Sequence, residues 1–467
     1  MSQDPVLEML VHAAAVLETE FRTLPGFEAV PGADVESWQR VLDETARRLG
    51  DNYPYFHPLY AGQMLKPPHP VARAAYALAM KINPNNHARD GGRASSEMEL
   101  EAVGGIAAMY GWKTGQYLGH LTSSGTIANL EALWVAGQFA PGKRILASEQ
   151  AHYTHQRISA VLRLECSAVA VDGAGRMRLD TLEEELRKGD VGTVVATLGT
   201  TALGAVDPLD EILALKERYG FRVHVDGAYG GYFGLISEEL EELARRAYAV
   251  IGKADSIVVD PHKHGLQPYG CGCVLFRDPA VGRFYKHDSP YTYFTSKELH
   301  LGEISLECSR AGAAAVALWA TQTLLPLKPE GEFARGLAKG RRAAVELDRR
   351  LRADDRFVTL RNVPYTSQNR NVGHLPELDI VVWALRAADL RKTSEQARSV
   401  FDACARRGLH LALVQLPESW FGLSGATEEA DELVTCLRSV LMKPEHEAWM
   451  EDIWERLSAA CDEVEGS

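Results

Sequence analysis

Short apolar runs recur between helical stretches from about residue 96 to 345, and this alternation constrains the fold more than any other feature of the chain. Candidate strands are 144–148, 194–198, 221–225, 256–259 and 272–276, and candidate helices are 97–110, 208–219 and 237–248. Runs this short and this continuously apolar suit a mostly parallel sheet covered on both faces. A short turn before residue 272 allows the last strand to run antiparallel. From residue 346 the pattern predicts a smaller βαβ-like unit. Its strands are 357–360, 379–384 and 409–414, with a helix at 393–407 and closing helices at 428–441 and 445–463. The expected class is therefore α/β: an N-terminal helical and loop segment (1–95), a large domain (96–345) and a small C-terminal α/β domain (346–467). The N-terminal segment carries an aromatic, proline-rich stretch from Tyr53 to Tyr60 that cannot be a long helix.

Composition narrows the function. With 467 residues and 46% hydrophobic content, the chain can bury a large core and more than one domain. A formal net charge of -13 argues against non-specific binding to nucleic acid or to anionic lipid. No apolar run reaches the length of a membrane span, and the N-terminus does not read as a secretory signal. The seven cysteines are odd in number and scattered, which suits a reducing cytoplasm. None of this opposes a small anionic ligand in a local basic pocket.

Three separated features carry chemistry. Leu121-Thr122-Ser123-Ser124-Gly125-Thr126-Ile127 is a small polar turn leading into a helix, where amides and the helix dipole attract a phosphate. By itself such a turn is often a plain helix cap. His224-Val225-Asp226-Gly227-Ala228 ends an apolar strand in a carboxylate followed by small residues, where α/β proteins bind ligands. A carboxylate there can keep a pyridine nitrogen protonated, and the small residues leave room for a flat ring. Alone, that pattern is equally a turn former. Asp260-Pro261-His262-Lys263 follows the strand 256–259 and puts an amine at the same sheet edge. Desolvation and a nearby cation would leave that amine the neutral fraction that imine formation needs. His152 and His155 stand three apart, and no third metal ligand accompanies them.

On these motifs the chain resembles the group II pyridoxal-phosphate (PLP) dependent amino-acid decarboxylases. Asp260–Lys263 is similar to the family's lysine signature, and His224–Gly231 to its aspartate motif. The stretch Asp260–Arg277, with Asn83-Pro84-Asn85-Asn86 and the following Glu97 and Glu99, looks closest to the bacterial and archaeal tyrosine and aspartate decarboxylase branch. The resemblance implies the PLP-dependent transferase fold type I and PLP as cofactor. It implies that Lys263 carries PLP, that Asp226 pairs with its ring nitrogen, and that His152 and Ala228 cover the two ring faces. It further implies that Thr200 bonds near the cofactor and that Gly125, Thr126 and His262 hold the phosphate. A mobile loop after Phe276 is implied to supply a catalytic tyrosine, Tyr291 or Tyr293, from one subunit of a homodimer to its partner's site. Gly227 and His264 depart from the branch pattern and bear on the shape of the pocket.

The implied reaction converts an L-amino acid into its amine and CO2, with an aromatic substrate such as tyrosine first. Tyr53, Tyr55, Phe56 and Tyr60 are candidate apolar walls, and His57, His87, His155 and His264 candidate pocket residues. An acidic substrate, aspartate or glutamate, would instead engage Arg89 or Arg93. Another lyase, an aminotransferase or an aldehyde synthase of the same fold would share the cofactor residues. A degenerate regulatory protein of this fold would not need Lys263, Asp226 and His152 together.

Overall fold

The computed structural model describes residues 5–26, 32, 34–87, 91–286, 305–360, 375–423 and 432–466. Seven strands build the large sheet: β1 (Leu118–Thr122), β2 (Arg144–Ser148), β3 (Cys166–Val169), β4 (Val191–Thr197), β5 (Arg222–Asp226), β6 (Ser256–Val259) and β7 (Gly272–Phe276). Their spatial order is β1-β7-β6-β5-β4-β2-β3. Strands β3, β2, β4, β5 and β6 pair in parallel, and β7 runs antiparallel to both β6 and β1. The antiparallel β7 meets the expectation, because parallel neighbours are joined by a crossover, usually a helix, and residues 260–271 between β6 and β7 contain no helix. Strands β4 and β6 are buried along their whole length, as a sheet covered on both faces demands. Val194, Val223, Val225 and Ile257 belong to the main core beneath the helices.

The parallel strands carry their C-terminal ends to one edge. Thr197, Asp226 and Val259 end there, and the loops that follow them supply the chemistry. Register brings Asp226 level with Thr197 on one side and with Val258 on the other.

The C-terminal unit meets the sequence expectation in one respect and departs from it in another. Its strands are β8 (Phe357–Thr359), β9 (Ile380–Leu385), β10 (Ala412–Pro417) and β11 (Leu433–Val440), ordered β10-β11-β9-β8, with every pair antiparallel. Because β9 and β10 both run antiparallel to the β11 between them, they are parallel to each other, and β9, the helix Leu390–Arg406 and β10 form the expected βαβ-like unit, split by β11. The expected helix at 428–441 is incorrect: β11 occupies its described part. Leu433, Val434, Leu437, Val440 and Leu441 would also line one side of a helix, so their spacing misleads. Strand β11 is flanked by β10 and β9, and its backbone bonds go to those neighbours. The helices Glu332–Arg352, Leu390–Arg406 and Met450–Glu465 contribute Leu347, Val400 and Ile453 to a second core with Trp383 and Leu437.

Strand β11 also ties this unit to the large sheet. Arg438 donates to Thr201 O at 2.7 Å, to Ala202 O at 3.1 Å and to Gln63 Oε1 at 3.1 Å. One buried guanidinium thus pins the loop after β4 to the N-terminal segment.

Candidate active site

A cleft of about 170 Å³ lies at the C-terminal edge of the large sheet, lined among others by Gly125, His152, Asp226, Ala228, His262 and Lys263. Residues from well-separated stretches of the chain therefore meet in one place.

One end is the start of the helix Gly125–Phe139. Ser124 caps it, accepting from Ile127 N at 3.3 Å with its own backbone extended. The first-turn amides of a helix have no partner inside it and carry its positive dipole end. Gly125 is required by close approach: a Cβ there would lie 2.4 Å from Asp260 Oδ2. Thr126 beside it is exposed to the cleft. The turn itself is held from below. Glu99 accepts from Leu121 N at 3.0 Å, Asn86 Nδ2 at 2.6 Å and Arg310 Nη1 at 2.7 Å. Through these bonds Asn86 and Glu99 fix the end of β1 and so the turn that follows it.

The other end is Asp226, which is 5% exposed. Its Oδ2 accepts from His155 Nε2 at 2.7 Å, and its Oδ1 from Ala228 N at 3.1 Å. Burial alone would push its carboxyl up. The His155 hydrogen bond and the charges of His155, Lys263 and His224 outweigh burial and hold it well below the usual carboxylate range. A chain of bonds ties the helix start to β5, the strand that ends in Asp226. His224 Nε2 meets Asn129 Oδ1 at 2.8 Å, and Asn129 Nδ2 donates to Gly125 O at 3.0 Å.

Between the ends stand Lys263, His152 and Ala228. Lys263 Nζ lies 3.1 Å from Asp260 Oδ2 and remains partly exposed to the cleft. His152 Nδ1 lies 2.6 Å from Thr154 Oγ1, which fixes the ring in the cleft wall. Burial lowers the His152 pKa, helped by the charges of Lys263 and His155 and opposed by those of Asp226 and Asp260. His262 Nδ1 donates to Cys271 O at 2.7 Å, which turns Nε2 away from that bond.

Thr200 does not line the cleft. It is buried, and its Oγ1 accepts from Ala205 N at 3.0 Å. Its neighbours Thr197, Gly199 and Thr201 line the cleft instead. Gly199 has φ +98°, and a Cβ there would meet Gly230 N at 3.0 Å, so this edge of the cleft is bare backbone by necessity. Among the candidate aromatics, Tyr60 is buried beside His410, whereas Tyr53 and Phe56 are exposed. Neither these three nor Tyr55 lines the cleft. His57 packs edge-on against Trp449 at 4.9 Å. Tyr291, Tyr293 and Arg89 lie outside the described residues, and Arg93 is exposed at the start of a helix.

Of the histidines the sequence left without a role, His155 is the one that bonds Asp226. Its three-residue spacing from His152 was the available signal: the helix Thr154–Leu162 begins between them and turns His155 inward onto Asp226. Asn129, Asp260 and Tyr229 also line the cleft; Asp260 and Tyr229 stand inside the lysine and aspartate motifs without an assigned role, and Asn129 lies outside every motif.

The donor set fits PLP. A helix N-terminus suits a phosphate, an ionised buried carboxylate suits a protonated ring nitrogen, and an amine lies between them. The "Pyridoxal-dependent decarboxylase conserved domain" matches residues 32–366. L-tyrosine decarboxylase of Enterococcus faecium is 27% identical over 469 aligned residues, covering 78% of this chain and 75% of that protein. Aspartate 1-decarboxylase of Aliivibrio fischeri is 32% identical over 229 residues, covering 42% of this chain and 41% of that protein. Among solved structures, Oryza sativa TDC with PLP and tryptamine superposes with a TM-score of 0.74 at 19% identity, covering 96% of this chain and 91% of that one.

Proposed function

The chain belongs to the pyridoxal-dependent decarboxylase family and has the fold type I architecture of PLP enzymes, and from that premise we propose the roles of its cleft residues. The protein is a PLP-dependent amino-acid decarboxylase, releasing CO2 and an amine. In our reading Lys263 is the covalent anchor of PLP, and Asp226 pairs with its ring nitrogen. The observation that carries this reading is the buried Asp226, held ionised in the same small cleft as Lys263.

When bound, PLP supplies a cationic ring that accepts the electron pair left on the substrate's Cα as the carboxylate departs as CO2. Asp226, kept anionic by His155, retains the proton at the ring nitrogen. The amides of Gly125 and Thr126 bind the phosphate, and His262 stands at the same end, its Nε2 3.6 Å from Asp260 Oδ2. His152 and the small side chain of Ala228 hold the ring between them, which fixes its plane. Thr200 takes part through backbone geometry: its hydroxyl holds the turn at Ala205 and so the loop Gly199–Thr201. Asp260, 3.1 Å from Lys263 Nζ, orients that side chain in the cleft. Tyr291 or Tyr293 returns a proton to Cα.

Tyrosine is the substrate we propose, supported by the relatives' names. Aspartate is the second reading, favoured by the Aliivibrio fischeri relative. We also propose a homodimer with shared sites. The helix Val35–Leu49 has no buried residue, and Val35, Trp38, Leu42 and Leu49 are each at least half exposed along one stripe. An apolar stripe of that kind suits burial against a second copy. In the same proposal residues 1–95 form the dimer-making segment, 96–345 the cofactor domain and 346–467 the small domain. The seven cysteines are all free, which supports a cytoplasmic setting. Among the described residues no helix is long and apolar enough to cross a membrane.

Borohydride reduction of the PLP-loaded protein followed by peptide mass mapping tests the anchor. Pyridoxyl on Lys263 is the expected result, and label on a different lysine refutes it.

A further inference from the structure

A second cleft, of about 590 Å³, shares a wall with the first: Lys263 lines one, and His264, the next residue, lines the other. Its lining is cationic. Lys66, Lys443, Arg335 and Lys339 face only Glu332 and Glu445 among the carboxylates that line it.

The two lysines at its floor are under-compensated. Lys66 Nζ makes a long bond of 3.3 Å to Met442 O. Lys66 is half-buried in the cleft wall. Lys443 is 3% exposed, donates to Tyr60 O at 2.6 Å and lies 5.2 Å above the Tyr60 ring. Asp379 and Glu445 act on Lys66 through space, and among the described residues neither lysine closes an ion pair. Asp379 is committed elsewhere: it accepts from Tyr229 OH at 2.5 Å and lies 3.3 Å from His264 Nε2. Burial accordingly lowers the pKa of Lys66 to about 8 and of Lys443 to about 7. Buried cations without a carboxylate partner are costly and are ordinarily paired.

His264 supplies an independent sign. It is 1% exposed, wedged edge-on between Tyr229 and Phe233 with ring centroids 4.6 and 5.0 Å away. Neither of its ring nitrogens completes a hydrogen bond, despite the nearby Asp379. Buried polar atoms are nearly always satisfied. An imidazole that completes no hydrogen bond, with Asp379 alone near its Nε2, lines a cleft that also carries two lysines, and its free Nδ1 leaves room for a further partner.

We propose that this cleft is a binding site for a small dianionic oxyanion, a phosphate or dicarboxylate group, held by Lys66 and Lys443 with His264 at its inner wall. It is separate from the cofactor's phosphate end, which lies at Gly125 in the other cleft. The exposed Arg335 and Lys339 at the rim draw the anion in.

Calorimetric titration of the PLP-loaded protein tests this, because the cofactor then occupies the first cleft. Inorganic phosphate and succinate are the two probes, and the tighter of them identifies the oxyanion type. Saturable binding of at least one, at one per subunit, is expected. A hydrogen bond to a charged group sets the expected loss: affinity falls about tenfold or more in Lys66→Met and in Lys443→Met. Affinity stays unchanged in Lys113→Met, an exposed lysine outside the cleft. Lys443→Met removes the bond to Tyr60 O, so if it fails to fold, Lys66→Met decides the matter. No saturable binding of either probe, or equal affinity in the wild type and Lys66→Met, overturns the proposal. The titration is independent of turnover, so its failure leaves the decarboxylase reading untouched.

Discussion

His155→Phe isolates what keeps Asp226 charged. The substitution keeps a ring inside the helix Thr154–Leu162 and removes the 2.7 Å bond to Asp226 Oδ2. A hydrogen bond to a charged group contributes about 1.5–3 kcal/mol. One pKa unit corresponds to about 1.36 kcal/mol, so the Asp226 pKa should rise by about one to two units. It starts well below the ordinary carboxylate value, so Asp226 still ionises below neutrality. Its charge at pH 7 is thus unchanged, and the loss acts through the carboxylate's placement: the bond's contribution bounds the fall in kcat/KM at roughly tenfold to hundredfold, without a new ionisation between pH 6 and 8. His155→Gln, which keeps a donor, should recover part of it. Stability follows the sign of the shift. A carboxyl lowered in the folded state contributes stability above the unfolded pKa of about 3.9 and loses it as the pH falls toward the folded value. The cofactor-free variant should thus unfold at lower denaturant than wild type at pH 7, and the difference should close in acid below about pH 4. CO2 release from pH 5 to 8, with denaturation curves at pH 7 and in acid, measures both effects. A His155→Phe protein with kcat/KM within twofold of wild type and an unchanged unfolding midpoint at pH 7 would refute the reasoning.

Three further outcomes are expected. Gly125→Ala puts a Cβ 2.4 Å from Asp260 Oδ2, so the helix start must shift and PLP should be lost on dialysis; retention equal to wild type contradicts this. Trp38→Glu charges the exposed stripe of the helix Val35–Leu49 and should move sedimentation from dimer toward monomer; an unchanged sedimentation coefficient argues against that interface. Of Tyr291→Phe and Tyr293→Phe, one should slow amine formation while PLP binding stays near normal. Wild-type kcat and product ratio in both would remove the catalytic tyrosine from this segment.

The cofactor end of the large sheet was readable because its determinants are local. The strands 256–259 and 272–276 lie within the expected bounds to the residue, and Asp226 stands at a strand end as its apolar run required. Strand β11 was not readable, since its apolar spacing fits a helix and only pairing with β9 and β10 decides the matter. His155 was visible as a candidate without an assigned role, because its partner Asp226 is 71 residues away and only the packing of a helix against a strand joins them. Thr200 shows the reverse: the right loop was identified, but the φ of +98° at Gly199 turns the backbone so that its neighbours line the cleft instead. The second cleft draws on residues from Phe56 to Glu445, which no local pattern could have gathered.

The most direct test of the central claim is a product measurement. The PLP-loaded protein is given a panel of L-amino acids, and CO2, amine, ammonia and aldehyde are quantified together. The account predicts one CO2 and one amine per substrate consumed, with tyrosine turned over faster than aspartate or glutamate, and with turnover abolished by Lys263→Ala. Carbonyl and ammonia in place of amine, or no CO2 from any amino acid in the panel, would contradict it.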